Sequence, residues 1–424
     1  MPIDSHLRYV EKNAFAPPQI AEPPPPDLGM VIAIPCFDEP DLIGSLTALQ
    51  NCTPPPCAVE VIVVINSGVH HPAEVKTRNQ KTREAARTWA KENRTEHLRF
   101  HFLHFPELPK KHAGVGLARK IGMDEAVRRL ETVARPDAPI VCFDADATCA
   151  PNYLVELAAY FADNPKMQHC SIHFEHPIAG DEHSEAVYAG IIRYELYLRY
   201  YVNGLRLARS PYAHHTIGSS MAVRSALYQS EGGMNRRKAG EDFYFLNKLP
   251  REAHGELTTT RVIPSPRISH RVPFGTGKAI HSYVEGPDPE YPVYAPEAFR
   301  MWRAAMTGIA DWFTLGESAL KNVLAGFPEP LAAYLREIDF VAKVRECQRY
   351  TRSPEKFGDR YHHWLNGLRT LQFFHHFRDH HRPNVPLRPA ALAVLRTHFP
   401  AGELPENLSL EDLLAKYREL DRQR

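Results

Sequence analysis

Two pairs of carboxylates are the residues in this chain best suited to chemistry. Asp144-Ala145-Asp146 follows the apolar run Pro139–Phe143, and Glu241-Asp242 follows Gly240 at the start of the apolar stretch FYFLNKL. Carboxylates one residue apart at a strand end concentrate negative charge and call for a compensating cation. Hard divalent ions such as Mg²⁺ or Mn²⁺ suit carboxylate oxygens and also bind substrate phosphates. A D-x-D tripeptide also arises in strand-end loops by chance. Glu241 and Asp242 admit two readings. In the first turn of a helix the dipole alone favours them; alternatively one is a general base facing an acceptor hydroxyl. Further on, His270-Arg271 and Gly275-Thr276-Gly277-Lys278 offer a metal ligand and basic groups for phosphate oxygens, or simply form a surface loop.

The elements that must position these residues follow from hydrophobic patterning. Met30–Pro35 is a short, continuous apolar run of the kind buried on both faces of a parallel sheet, and Val59–Ile65 reads as a second buried strand. Asp41–Gln50 reads as the helix between them, residues 74–96 as a charged helix, and Leu98–Phe105 as a third strand. Gly114–Arg129 reads as a glycine-opened helix and Pro139–Phe143 as a fourth strand. Alternating strands and helices argue for a doubly wound α/β sheet, in which ligands sit outside the carboxyl ends of the strands. Each strand end is polar here: Asp38-Glu39 after the first, Asn66-Ser67 after the second, Asp144 and Asp146 after the fourth. Strand ends often meet polar loops, so the signal lies in their convergence. Beyond them, Gln168–Glu175, Thr216–Val223 and Thr258–Ile263 read as strands and Ser184–Arg209 as a long helix. From about residue 290 the pattern is helical, with no strand signal.

In sequence order these pieces resemble family-2 glycosyltransferases of the GT-A fold. Ile34-Pro35-Cys36-Phe37-Asp38-Glu39 looks like that family's first nucleotide-binding loop, and Gly114-Val115-Gly116-Leu117-Ala118-Arg119-Lys120-Ile121-Gly122 like its G-x-x-x-A-R-N-x-G helix start. Val141-Cys142-Phe143-Asp144-Ala145-Asp146 is similar to its metal-binding D-x-D strand. Gly218-Ser219-Ser220, the Gly232-Gly233 turn and Gly240-Glu241-Asp242 are similar to its acceptor-side block. The likeness covers roughly residues 30–280.

The resemblance implies a fold: a GT-A doubly wound mixed sheet over residues 30–285, after a Pro-rich lead-in at 1–29 and before a helical C-terminal extension at 286–424. It also implies roles. Pro35, Cys36, Phe37 and Glu39 would hold the nucleotide, with Glu39 near ribose or base. Gly116, Arg119 and Lys120 would lie near the phosphates. Asp144 would contact ribose and metal-bound water, and Asp146 would bind a Mn²⁺ or Mg²⁺ ion bridging the donor diphosphate. His270 falls where some GT-A enzymes place a third metal ligand, and Arg271 or Lys278 would clamp the diphosphate. Asp242, beside Glu241, would take the acceptor's proton. Two departures matter. Asn66 stands where the family usually has an acid, leaving UDP- versus GDP-sugar open, and Lys120 stands in place of the usual Asn. The chain lacks the Q-x-x-R-W motif and membrane helices of processive members, so a non-processive, inverting enzyme is expected. A sugar-phosphate nucleotidyltransferase would want a G-x-G-T-R-type loop where this chain has IPCFDEP. A catalytically inactive scaffold acting through its helical tail would have no need of Asp144, Asp146 and Asp242.

Composition narrows the setting. Of 424 residues, 51 are Lys or Arg and 50 Asp or Glu, a net charge of +1 that argues against nucleic-acid partners. No apolar run approaches the roughly 18 residues that span a bilayer, the N-terminus does not read as a secretory signal, and the 7 Cys form no CxxC pair. A cytoplasmic, reduced protein is expected, with peripheral membrane contact left open. The helix 188–209 carries Tyr194, Tyr197, Tyr200 and Tyr201 among arginines and reads either as an acceptor platform or as part core, part solvated face. Among 23 histidines, His376 and His380 share a helical face that suits a metal, yet no Glu or Cys completes a zinc pattern.

Overall fold

The computed structural model of the chain describes residues 4–269, 271, 275–286, 290–400 and 402–424. It contains two compact units. The first comprises the chain through Tyr188, then Thr216–His281 and Leu420–Arg424; the second comprises Ala189–His215 and Ser282–Glu419.

In chain order the first elements are α1 (Asp4–Asn13), β1 (Leu28–Cys36), α2 (Leu42–Gln50), β2 (Ala58–Gly68), α3 (Ala73–Glu92), β3 (Leu98–Leu108) and α4 (Val115–Thr132). They are followed by β4 (Pro139–Cys142), β5 (Thr148–Cys149), α5 (Tyr153–Asp163), β6 (His169–Phe174), α6 (Glu185–Leu207), β7 (Met221–Arg224), α7 (Ser225–Ser230), α8 (Glu241–Leu246), β8 (His254–Ile263) and α9 (Thr276–Glu285). The strands form one mixed eight-stranded sheet in the order β3-β2-β1-β4-β7-β6-β8-β5. β1 pairs in parallel with β2 on one side (Val31↔Glu60) and with β4 on the other (Val31↔Ile140). The order therefore reverses at β1: the chain winds outward to β3, then returns to lay β4 against β1's free side. Such a reversal opens a crevice at the carboxyl ends of the two strands.

Burial explains the apolar runs. Every residue of β2 is buried, and β1 is buried at all but Gly29 and Pro35, as expected of parallel strands covered on both faces. α4 packs on β1 and β2, with Gly122 set against Ala33 and Val64. It is buried nearly all round, and five of its charged residues (Arg119, Lys120, Asp124, Glu125 and Arg129) go inside with it. A helix carrying charge into a core needs a partner for each ion. Arg129 finds Glu60, at 2.6 Å, and Arg128 reaches Glu125 at 2.6 Å.

Three expectations change. The strand expected from Thr216 starts at Met221, because residues before it turn, Ser220 N donating to Ile217 O at 2.9 Å. The last strand begins earlier than Thr258, at His254, and a two-residue strand, β5, pairs with its far end (Thr148↔Ile263). The region after residue 290 is not purely helical. It holds β9 (Pro292–Val293), α10 (Pro296–Ala305), α11 (Glu317–Ala325), α12 (Glu329–Glu337), α13 (Phe340–Arg349), α14 (Pro354–Trp364), α15 (Gly367–His380), β10 (Val385–Pro386), α16 (Leu387–Leu395) and α17 (Leu410–Arg422). β9 and β10 pair antiparallel over two residues each, too few for any alternation to show in the sequence. The stretch 329–349 breaks at Asp339, whose φ of 56° is a left-handed conformation that Asp tolerates.

The second unit has an aromatic interior. Trp302 stacks on Phe373 with centroids 4.9 Å apart, and Phe299 meets Phe374 at 4.7 Å. It buries the carboxylate of Glu195 together with Arg199, and Arg199 and Arg418 each approach Glu195 to 2.8 Å. No helix among the described residues is long and apolar enough to cross a membrane.

Candidate active site

The loop leaving β1 is pinned before it reaches any ligand. Asp38 adopts φ 50°, outside the conformations an ordinary residue prefers, and three contacts hold it there. Its amide donates to Asn79 Oδ1 at 2.9 Å, and its carboxylate takes a fork from Arg78, Nε at 2.6 Å and Nη2 at 2.9 Å. The hydrogen bond from Arg78 lowers the Asp38 pKa. Asn79 Nδ2 then reaches the Asn66 carbonyl at the end of β2, 2.9 Å away. One α3 residue thus ties two strand ends together.

Behind that loop lies a corner built on Glu39, whose side chain is 2% exposed. Arg267, just past β8, donates Nη1 to Glu39 Oε1 at 2.8 Å and Nη2 to Oε2. The same Nη2 lies 2.8 Å from Asp146 Oδ2. Arg271 adds Nη1 to Glu39 Oε2 at 3.1 Å and to the Phe37 carbonyl at 2.9 Å, with Nη2 3.8 Å from Asp146. Burial alone would raise the Glu39 pKa, but Arg267, the Asp41 amide and Arg271 more than offset it and hold it low. Asp146 fares differently. Burial, with Asp144 and Glu39 nearby, pushes its pKa up to about 6 despite the two arginines. Arg267 Nε is buried with no hydrogen-bond partner among the described residues. This corner therefore has an under-compensated carboxylate and an unused guanidinium donor side by side.

The other corner is built on Arg119, from the first turns of α4 and 2% exposed. Its Nη2 meets Asp144 Oδ1 at 3.0 Å, its Nε meets Glu241 Oε1 at 3.1 Å, and its Nη1 meets the Gly218 carbonyl at 2.8 Å. Burial works against this cation, yet Asp144 and Glu241 keep its pKa above the ordinary value. Two glycines make the approach possible. A Cβ on Gly218 would fall 2.6 Å from Arg119 Nη2 and 3.2 Å from Asp242 Oδ2, and one on Gly116 would fall 2.3 Å from the Arg237 carbonyl oxygen. Asp242 sits at the start of α8 and accepts a hydrogen bond from the Phe243 amide at 2.7 Å. Burial, reinforced by Glu241, raises its pKa to about 7. A carboxyl poised there can exchange a proton near neutral pH.

The structure thus brings together Phe37, Glu39, Asp144, Asp146, Arg119, Glu241, Asp242 and Arg271, with Gly116 supporting them. Pro35 and Cys36 lie in the last turn of the β1 ladder, facing Val64 and Ile65 of β2, and Asn66 is buried at the end of β2. Lys120 does not join the cluster: it is buried against Asp124 at 3.0 Å and the Tyr9 hydroxyl at 3.3 Å. Lys278 opens α9 and takes no part in the cluster's ion pairs among the described residues. His270 lies outside the described residues. Arg267 escaped the sequence reading altogether. Its only signal is position, an arginine four residues before Arg271 in the segment leaving the last strand.

For a divalent cation the cluster supplies hard oxygen donors, Asp144 and Asp146, both partly open. No group of three or more His, Cys, Asp or Glu side chains among the described residues is arranged to hold a metal ion. In the second unit, the rings of His376 and His380 lie 4.8 Å apart between centroids, tilted by 54°, and His376 Nδ1 lies 3.5 Å from Glu337.

No protein-family description matches the chain, and no curated protein matches it in sequence. Among solved structures, S. aureus TarS 1–349 in complex with UDP-GlcNAc is similar over 78% of this chain and 89% of that one, at 12% identity and a TM-score of 0.39. The same protein in complex with UDP gives 78% and 88% coverage, 11% identity and a TM-score of 0.37. Likeness at this level settles neither fold nor activity.

Proposed function

We propose that this chain is a nucleotide-sugar glycosyltransferase of the family-2, GT-A kind, moving a sugar from a UDP- or GDP-sugar to an acceptor hydroxyl. The observation that carries this reading is the mixed-charge cluster at the carboxyl ends of β1 and β4, where the strand order reverses. A ligand at such a crevice with both a diphosphate and polyol groups would meet arginines and carboxylates together.

The roles follow from the contacts. The Phe37–Glu39 loop forms the nucleotide's edge of the crevice, with Glu39 fixing Arg267 and Arg271 rather than left free for the ribose. Arg267, through its spare Nε, and Arg271 turn to the diphosphate, since charge-assisted pairs with phosphate are strong and directional. Arg119 holds Asp144 and Glu241 in place. A Mn²⁺ or Mg²⁺ ion on Asp146 and Asp144 would supply Lewis-acid stabilisation of the leaving diphosphate. Asp242 takes the acceptor proton as the hydroxyl oxygen bonds to the anomeric carbon. The bond from that carbon to the phosphate oxygen breaks, and the nucleoside diphosphate departs. A single displacement of this kind inverts the anomeric centre.

A thermal-shift panel of UDP, GDP and their sugars, each with and without Mn²⁺, tests the donor. Binding to the folded state raises its apparent stability by mass action. A shift with one nucleotide, larger with Mn²⁺, is expected; no shift with any of them removes the reading.

A further inference from the structure

The second unit contains a cavity of about 260 Å³ that the transfer reading does not use, lined by Tyr197, Tyr291, Pro292, Val293, Tyr294 and Asn384. Four features mark it as built rather than left over. Its aromatic walls are buttressed: Tyr197 meets Tyr291 at 5.9 Å, and Tyr294 stacks on Phe374 at 5.3 Å with planes 24° apart. Tyr291 is held at φ 48°, a strained conformation for a bulky side chain that recurs at ligand sites. The β9–β10 pairing that follows (Val385↔Val293) fixes both rims of the cavity. Finally, Asn384 Oδ1 is buried without a hydrogen-bond partner among the described residues. An amide oxygen left that way in a folded protein is an acceptor awaiting a donor.

The lining also limits what can enter. It has no charged side chain, so an anion finds no compensation there. A purely apolar guest would leave the Asn384 oxygen unsatisfied. The space falls short of the roughly 300–1,000 Å³ of drug-sized pockets, and suits one small ring. A pyranose meets all three limits: its C–H face packs on the negative face of a tyrosine ring, and its hydroxyls donate to an amide oxygen. Burial raises the pKa values of Tyr197, Tyr291 and Tyr294, which keeps their phenols protonated as hydrogen-bonding partners.

We infer that this cavity is a binding site for a single neutral sugar ring, separate from the residues proposed for transfer. The inference does not rest on the transferase reading, because every residue of the cavity belongs to the second unit.

Saturation-transfer NMR and calorimetry on the full chain, with methyl glucoside, methyl mannoside, methyl galactoside and N-acetylglucosamine as probes and cyclohexanol as the apolar control, test it. At least one sugar is expected to bind the wild type. Binding should weaken tenfold or more in Asn384→Ala. Tyr197→Phe, which keeps the ring, should weaken it less than Tyr197→Ala, and it keeps the test alive if Asn384→Ala does not fold. Binding of no sugar, equal binding by cyclohexanol, or sugar affinity unchanged in both Asn384→Ala and Tyr197→Ala would overturn the assignment.

Discussion

The two arginine-built corners of the candidate site use the same chemistry for different ends. Arg119 is 2% exposed, and its guanidinium is shared among two carboxylates and a backbone carbonyl. Arg267 and Arg271 have side chains 21% and 28% exposed, share Glu39 and Asp146 between them, and leave Arg267 Nε unused. A buried, saturated ion network is costly to disturb, because removing one partner strands the others out of water. A partly open pair exchanges partners at little cost. The Arg119 corner is therefore the frame that sets Asp144 and Glu241, with Asp242 beside them, while in the proposed transfer the Arg267 corner would be the part that moves its contacts onto an incoming diphosphate.

The sharpest way to break this contrast is to remove each arginine in turn. Arg119→Ala leaves buried Glu241 uncompensated and should destabilise the fold by about 3–5 kcal/mol, with transfer lost alongside it. Denaturant unfolding checks it; a variant as stable as wild type would demote Arg119 from frame to bystander. Arg267→Ala should weaken donor binding by roughly 10–100-fold, the range expected for one charge-assisted partner, while stability falls less than in Arg119→Ala because Arg271 still pairs with Glu39. Calorimetry with the donor nucleotide reads the first effect. If Arg267→Ala instead binds donor normally and unfolds as easily as Arg119→Ala, the two corners are not different in kind.

A third prediction concerns pH. Burial holds the Asp242 pKa near 7, above its value in an unfolded chain, and only the ionised form is a base. kcat/KM should therefore fall about tenfold per unit as pH drops below about 7 and level off above it. A profile flat from pH 5 to about 8 would take the base role from Asp242. The smallest effect is expected at exposed Arg78, which only steadies the Asp38 turn. Arg78→Ala should leave the melting temperature unchanged and raise donor KM modestly.

The frame was more legible in the sequence than the exchangeable corner, for a physical reason. β1, β2 and β4 announce themselves because parallel strands buried on both faces are apolar along most of their length, the paired Glu60 of β2 excepted, and meet polar residues at their ends. Arg119 comes with a helix start, so its neighbourhood could be anticipated from local order. Arg267 lies 228 residues from Glu39, in an irregular segment with no period. A pairing at that separation leaves no mark on either local sequence. Lys120 shows the converse. Adjacent to Arg119 and of the same charge, it points on a helix to a different face and ends against Asp124, where burial pulls its pKa down. β5, β9 and β10 were hidden by length alone, two residues each.

In the proposed reaction this cluster binds a nucleotide sugar and Asp242 performs the proton transfer. Binding and turnover measured together on Asp242→Asn test it most directly, using whichever UDP- or GDP-sugar the wild type binds and following nucleoside diphosphate release. The variant should bind donor as wild type does while release falls by roughly 10²–10⁴-fold, the usual contribution of a positioned base. Undiminished release in Asp242→Asn, or loss of donor binding along with release, would contradict it.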